Sequence, residues 1–445
     1  MIPQEKMTPA PDSPRRPALA FLLHVSIPCL VLLVLLRGFV FETFYVPTGS
    51  MAPTLHGEHR LCSCPRCGNE VIVGKHAGDA GGAAAERFYR KAFCPWCGES
   101  IPVAGAPLRS GERVLVDKFA YLWRLPRRWE IVVLWINGEY VIKRVLGLPG
   151  DEVELRGGDV YIDGALLRKS WEEIEALRIP LFDQDLPGPD GWRERWEQTK
   201  DSSAQPVENA IASRLIAEGV TRIPGSALRL EGATRFAYRN FSYAEAKCLP
   251  LTDEQAYNGA LHANWETVHD FSVSAQVLRR SEAGAVTFAL NDGEDIVSVR
   301  LPLTGHAPVR IQRQKETLAE VDFAMPTGAF TLDLAFVDRR ILVRIDGRAV
   351  GEPVDLPPAT RRLPVTLPLG IAAEGADVEV RRVKLYRDVH YTQAGVNAVR
   401  GRSVQLGTGQ YFVLGDNSGR SEDSRFWRDQ GAVPHDAFIG RVLNH

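Results

Sequence analysis

Residues 111–155 read GERVLVDKFAYLWRLPRRWEIVVLWINGEYVIKRVLGLPGDEVEL. Short runs of Val, Ile, Leu and aromatic residues alternate with turn residues, which is a strand pattern. The pair Asn137-Gly138 predicts a hairpin, because a tight two-residue turn needs positive φ at both positions. The run VIKRVL at 141–146 is apolar on both strand faces. Alternation places Lys143 with Val141 and Val145, and Arg144 with Ile142 and Leu146. A lysine among such neighbours loses hydration, which disfavours its charged form and lowers its pKa. Acting as a base near neutral pH takes a drop of about 3 pH units, or ~4 kcal/mol. The plain alternative is a lysine that snorkels from a strand edge to water. Lys118 is a rival base, but Asp117 precedes it and its flanks are less uniformly apolar.

The chain has 445 residues, enough for two or three domains. Its formal net charge of −2 argues against a dedicated nucleic-acid binder. The 29 Pro and 39 Gly, with short apolar runs, point to a mainly β fold rather than a helical bundle.

Upstream, residues 46–55 read VPTGSMAPTL. Gly49 allows unusual dihedrals and the prolines lock φ, so an irregular turn there can present Ser50 to a partner. Residues 18–36, ALAFLLHVSIPCLVLLVLL, carry no Asp, Glu, Lys or Arg. Their length is close to the ~20 residues of a bilayer span, and Pro28 is tolerated in membranes. A cleavable signal peptide would have a shorter apolar core and a small-residue cut site, and RGFVFE at 37–42 is a poor one. Arg15 and Arg16 precede the span, which predicts a short cytoplasmic N-terminus and an exported remainder.

Five of the seven cysteines lie within residues 62–97. Cys64 and Cys67, then Cys94 and Cys97, stand in two copies of C-P-x-C-G. Each pair can grip one face of a tetrahedral metal, and Gly relieves the turn that follows. The reading is a four-cysteine ribbon holding a structural zinc, with the Gly/Ala-rich stretch 78–85 looping out. Cys62 and His59 are spare ligands. Disulfide pairing is the rival, because the segment is expected outside the cytoplasm.

After a hairpin pattern at 157–164, residues 166–225 are mixed, with one amphipathic helix expected over 207–218. Residues 228–391 alternate as strands and polar turns, which fits an antiparallel β-sandwich. Its close, VEV at 378–380 and VKLYRD at 383–388, resembles the last strands of concanavalin-like jelly rolls. Trp265 is expected in the core, and Cys248 as an isolated buried thiol. A polar segment, GDNSGRSEDSR at 415–425, follows the apolar strand YFVL. Dense Asp, Arg and Ser after a buried strand can order an active site. Asp423 can pair with Arg425, and Ser421 can hydrogen-bond a neutral lysine.

The span, TGSMAPTL at 48–55, YVIKRVLGLPGD at 140–151 and the 415–425 segment together resemble the type I signal peptidase family. The likeness covers residues 18–60, 108–168 and 396–445. It implies a β-rich catalytic fold with a Ser/Lys dyad, in which Ser50 is the nucleophile and Lys143 the general base. By the same resemblance Ser421 orients Lys143, and Asp423 and Arg425 brace the site, with Arg144 and Asp416 as further bracing residues. Thr48 stands where many members have a serine that completes the oxyanion hole, and Ser418 where many have arginine. The implied substrate is an exported preprotein with small residues before the cut, and catalysis needs no cofactor.

The expected layout is a cytoplasmic tail (1–17), a transmembrane helix (18–36), catalytic parts at 37–60, 108–168 and 396–445, a ribbon insert (61–107), a mixed linker (169–227) and a jelly-roll-like insert (228–395). The lipid bilayer is an expected partner, and the protein is placed in the cytoplasmic (inner) membrane with its catalytic part outside. A glycan or protein ligand of the sandwich is left open. Two other readings compete with the peptidase. A self-cleaving repressor-type Ser/Lys protein shares the dyad but lacks a span. A membrane-tethered adaptor with a non-functional peptidase core would use the ribbon and sandwich as its working parts.

Overall fold

The structure is a computed structural model, and it describes residues 21–35, 40–75, 91–200, 227–259, 265–304 and 307–443. The helix expected over 207–218 and the Gly/Ala-rich stretch 78–85 lie outside the described residues.

Near the N-terminus a π-helical turn, Leu22–Ser26, runs into helix α1 (Ile27–Leu35). The π turn immediately precedes Pro28, whose missing N–H disturbs the regular ladder. Among the described residues no helix is long and apolar enough to cross a membrane. Part of the expected span, residues 18–20 and 36, is outside them.

Lys143 lies in a seven-stranded antiparallel sheet, and Ser50 in the loop after its first strand. Its strands are β1 (Phe41–Tyr45), β2 (Arg113–Asp117), β3 (Ile131–Ile136), β4 (Glu139–Gly147), β5 (Gln410–Leu414), β6 (Val433–Pro434) and β7 (Phe438–Val442). Their order is β1-β2-β7-β3-β4-β5-β6. The turn between β3 and β4 has Asn137 at φ 52° and Gly138 at φ 84°, the geometry that pair predicts. In that hairpin Val132 faces Lys143 and Ile131 faces Arg144. Both faces of β4 are covered. One core gathers Val46, Met51, Leu55, Val133 and Ile142, and another Val132, Leu134, Val145, Tyr411 and Val413. Two consecutive cationic residues are therefore buried: Lys143 is 3% exposed and Arg144 1%.

A four-stranded sheet beside it combines Glu152–Arg156, Asp159–Ile162 and Ala165–Leu166 with Val404–Gln405 from the far end of the chain. Between those ends lies the β-sandwich, two antiparallel sheets of eight and seven strands around one core. Its composition differs from the expected mixed linker over 169–227. Strands Ile179–Asp183 and Trp196–Lys200 join the two sandwich sheets, and a short helix, Trp171–Leu177, packs on one of them. That helix starts at a capping box, with Ser170 Oγ accepting from Glu173 N–H and Glu173 accepting from Ser170 N–H. It buries Trp171 and Ile174 against Ala335 and Val337. Cys248 is half-buried rather than buried, and Trp265 is half-buried as well.

The sandwich is pinned to the neighbouring sheets by buried ion pairs. Lys169 Nζ lies 2.9 Å from Asp338 and 2.7 Å from Asp388, and Arg362 lies 3.2 Å from Asp159. The cysteine segment forms small sheets, Glu70–Gly74 with His59–Ser63 and Leu108–Arg109, and Lys91–Phe93 with Ser100–Pro102. Its buried side chains share one core with the sandwich.

Candidate active site and cysteine cluster

The loop after β1 carries Ser50 to the end of Lys143. Lys143 Nζ donates to Ser50 Oγ at 3.0 Å. Burial pushes the Lys143 pKa down to about 8, although the nearby Asp423 charge works in the other direction. A neutral amine at this distance can accept the hydroxyl proton. Lys118 is instead tied to Glu42 at 2.9 Å on the surface.

The polar segment after β5 wraps this pair. Arg144 binds Asp416 through two parallel bonds, Nε to Oδ1 at 2.8 Å and Nη2 to Oδ2 at 2.6 Å. Its third contact is the Trp129 carbonyl at 2.7 Å. Asp416 also accepts from Thr54 Oγ1 at 2.5 Å, so one carboxylate joins the lysine strand to the serine loop. Asp423 and Arg425 pair as expected, with Nε–Oδ1 and Nη2–Oδ2 both 2.9 Å, and both side chains are 0% exposed. Arg425 further donates to Ser418 Oγ at 2.7 Å and Thr392 Oγ1 at 2.8 Å. Ser418 thus serves as an acceptor for Arg425 where the family resemblance led to expect an arginine.

One expected contact differs. Ser421 is buried beside the dyad, but its Oγ has no hydrogen-bond partner, so the bond expected to Lys143 is not made. Thr48 is exposed, and its backbone abuts Gly57, where a Cβ would come within 2.4 Å of the Thr48 carbonyl carbon.

The glycines of the site are required for space. A Cβ on Gly415 would lie 2.2 Å from Ser421 Oγ and 2.4 Å from the Ser50 carbonyl oxygen. Gly49, expected from the sequence to take unusual dihedrals, is not among the residues with positive φ. A side chain there would instead collide with Tyr257.

Thr54 and Asn417 were not singled out by sequence reasoning. Asn417 donates its backbone N–H to the Ser50 carbonyl at 3.0 Å and Nδ2 to the Gly49 carbonyl at 2.9 Å. Its place in GDN next to Asp416 was the available signal.

The sulfurs of Cys64, Cys67, Cys94 and Cys97 converge within 4.8 Å of one another, and all four residues are buried. Cys64 Sγ is 3.5 Å from Cys97 Sγ, and Cys67 Sγ is 3.6 Å from Cys94 Sγ. Those separations exceed a disulfide's ~2.0 Å and approach the ~3.8 Å edge of a tetrahedron with 2.3 Å zinc–sulfur bonds. Each knuckle closes alike: Gly68 N–H reaches Cys64 O at 2.9 Å, and Gly98 N–H reaches Cys94 O at 2.8 Å. Both glycines hold positive φ, 76° and 79°. Asn69 Nδ2 adds a contact to Cys67 Sγ at 3.3 Å. Cys62 and His59 are not in the cluster, and His59 Nδ1 instead meets the Gly57 carbonyl at 2.8 Å.

Comparison with known proteins gives the family. The profile of the family described as signal peptidase, peptidase S26, matches residues 102–218 and 339–444, and the chain belongs to that family. The matched segments contain Lys143 and the 415–425 segment, while Ser50 lies before them. A probable signal peptidase I-2 of Synechocystis sp. is 36% identical over 72 residues, covering 14% of this chain and 33% of that protein. A probable signal peptidase I-1 of the same organism is 26% identical over 167 residues, covering 34% and 58%. The chain thus spans between about a third and somewhat over half of these relatives. Among solved structures, the carbohydrate binding module CBM66 from Bacillus subtilis aligns over 42% of this chain and 93% of its own. That alignment has 12% identity and a TM-score of 0.25.

Proposed function

We propose that the protein is a membrane-bound serine endopeptidase that removes signal peptides from exported preproteins. The observation that carries this reading is the 3.0 Å contact between Ser50 Oγ and a buried Lys143 whose pKa is brought to about 8. In this reading neutral Lys143 takes the proton as Ser50 attacks the scissile carbonyl. The protonated lysine gives that proton to the leaving amine as the peptide bond breaks, and the lysine, neutral again, activates the water that hydrolyses the acyl-enzyme. The oxyanion is assigned to the Ser50 backbone N–H with the Thr48 hydroxyl; losing one such donor typically costs ~10²–10³ in turnover. Arg144–Asp416 and Asp423–Arg425 hold the two loops in register. Ser421 would meet the lysine after a rotamer change, its Oγ being already buried and unpartnered.

The preprotein substrate is supported by the family and by the names of the relatives. Small residues on the substrate side of the cut are expected. A detergent-solubilised full chain should cleave a model preprotein carrying Ala at the final position before the cut. Changing that Ala to Trp should stop cleavage, and equal cleavage of both would contradict the specificity.

Residues 18–36 are assigned as a single span that anchors the protein in the cytoplasmic membrane with the catalytic part outside. Exposed apolar side chains support a position at the bilayer surface: Leu122, Trp123 and Leu125 are 68%, 84% and 64% exposed.

The four cysteines are assigned as ligands of one structural zinc. Bound there, the metal would supply cross-linking of the two knuckles and no reaction chemistry, because four thiolates leave no open position. The purified chain should carry about one zinc per molecule, and Cys97→Ser should lower both metal content and melting temperature. Full retention of metal in that variant would refute the site.

A further inference from the structure

The β-sandwich sends one short turn into the serine loop. The turn, Ala256–Asn258, is a single 3₁₀ segment with all three residues buried. The Tyr257 ring occupies the space in front of two glycines from different segments. A Cβ on Gly49 would lie 1.9 Å from Tyr257 Cε1, and one on Gly74 2.1 Å from the same atom. Neither glycine has positive φ, so ring packing rather than backbone conformation excludes a side chain at each.

Asn258, 5% exposed, exchanges two hydrogen bonds with Asn417. Its Nδ2 donates to Asn417 Oδ1 at 2.8 Å, and its Oδ1 accepts from Asn417 Nδ2 at 2.7 Å. The other Nδ2 hydrogen of Asn417 goes to the Gly49 carbonyl, and the Asn417 backbone N–H to the Ser50 carbonyl. Two amides that each donate and accept on one edge must face in matching senses. The Gly49 carbonyl, which only accepts, sets that sense, and Asn258 holds the Asn417 amide in place with its donor toward Gly49. The turn rests on a fixed support, because Lys169 and Arg362 pin the sandwich to the catalytic sheets.

We propose that the turn Ala256–Asn258 is a positioning element of the catalytic site. Asn258 holds the Asn417 amide in place, Tyr257 fixes the backbone at Gly49, and through them the insert sets the rate at which Ser50 is acylated. Asn258 and Tyr257 are positioning residues, and the inference rests on the reading of Ser50 as nucleophile.

The test uses the full chain in detergent, a fluorophosphonate as a small serine-directed probe, and a model preprotein. Wild type, Asn258→Ala, Tyr257→Ala and Tyr257→Phe are compared. Sub-ångström displacement of a nucleophile is costly, and about tenfold slower labelling and kcat are expected for Asn258→Ala, with KM little changed. The fraction of protein labelled at completion should equal wild type, which a merely folding-related role would lower. Tyr257→Phe keeps the ring and should restore most of what Tyr257→Ala loses. A wild-type labelling rate in Asn258→Ala, or a loss seen wholly as a smaller labelled fraction, overturns the proposal. A wild-type protein that neither cleaves nor labels overturns the peptidase reading, and this inference with it.

Discussion

Lys143→Met is expected to abolish turnover, by about 10⁴-fold, and at the same time to make the protein more stable at neutral pH. Both effects come from one buried amine. Lys143 is 3% exposed and its pKa lies at about 8 instead of 10.5. Below pH 8 folded and unfolded chains both hold the proton, and the folded state bears the full cost of the buried charge. Between pH 8 and 10.5 the unfolded chain still binds the proton that the folded chain has released, so stability rises with pH through that window. The penalty at pH 7 is roughly 3 kcal/mol. Met fills a similar volume without charge and should remove it. Urea unfolding at pH 7 and pH 10 checks this: the wild type should gain stability between the two and the variant should not. The wild-type kcat/KM should rise with pH through about 8, as the base must be neutral to act.

Asp423→Asn is expected to cost roughly 3–5 kcal/mol, because it leaves a fully buried guanidinium without its carboxylate. Arg425 keeps its contacts to Thr392 and Ser418, but these are neutral groups. Gly415 N–H, which donates to Asp423 Oδ2 at 3.1 Å, meets a weaker acceptor, so the strand-to-loop junction loosens as well. The same substitution has a second reading at Lys143. The Asp423 charge raises the lysine's pKa against burial, so its removal should move the acid limb of the activity profile below pH 8. Arg425→Met should move that limb the other way, because the guanidinium lowers the same pKa. Opposite shifts in the two variants would separate electrostatic coupling from general damage. A limb unmoved in both would show that neither charge reaches Lys143.

The pairing of Ser50 with Lys143 came from the family resemblance, because a lysine among apolar neighbours and a serine in a Gly/Pro turn each have a plain alternative when read alone. The Cys64–Cys67 and Cys94–Cys97 repeats were legible locally, as two copies of one short pattern. What braces the site was harder to read, because it depends on contacts between distant segments. Thr54 meets Asp416 across 362 positions, and Asn258 meets Asn417 across 159. No pattern within a window links such residues. Gly49 shows the same limit: its sequence neighbours point to an irregular turn with unusual dihedrals, while the reason for glycine is a tyrosine ring over 200 positions away. Strands Ile179–Asp183 and Trp196–Lys200 escaped because they are five residues each, interrupted by Pro180 or flanked by charge, and too short for alternation to show.

The central claim is that Ser50 and Lys143 form one catalytic unit. The most direct test is cleavage of a model preprotein by the full chain in detergent, comparing wild type with Ser50→Ala and Lys143→Ala. The account predicts processing by wild type alone, with each variant folded by circular dichroism and without detectable product. Wild-type cleavage by either variant would contradict it.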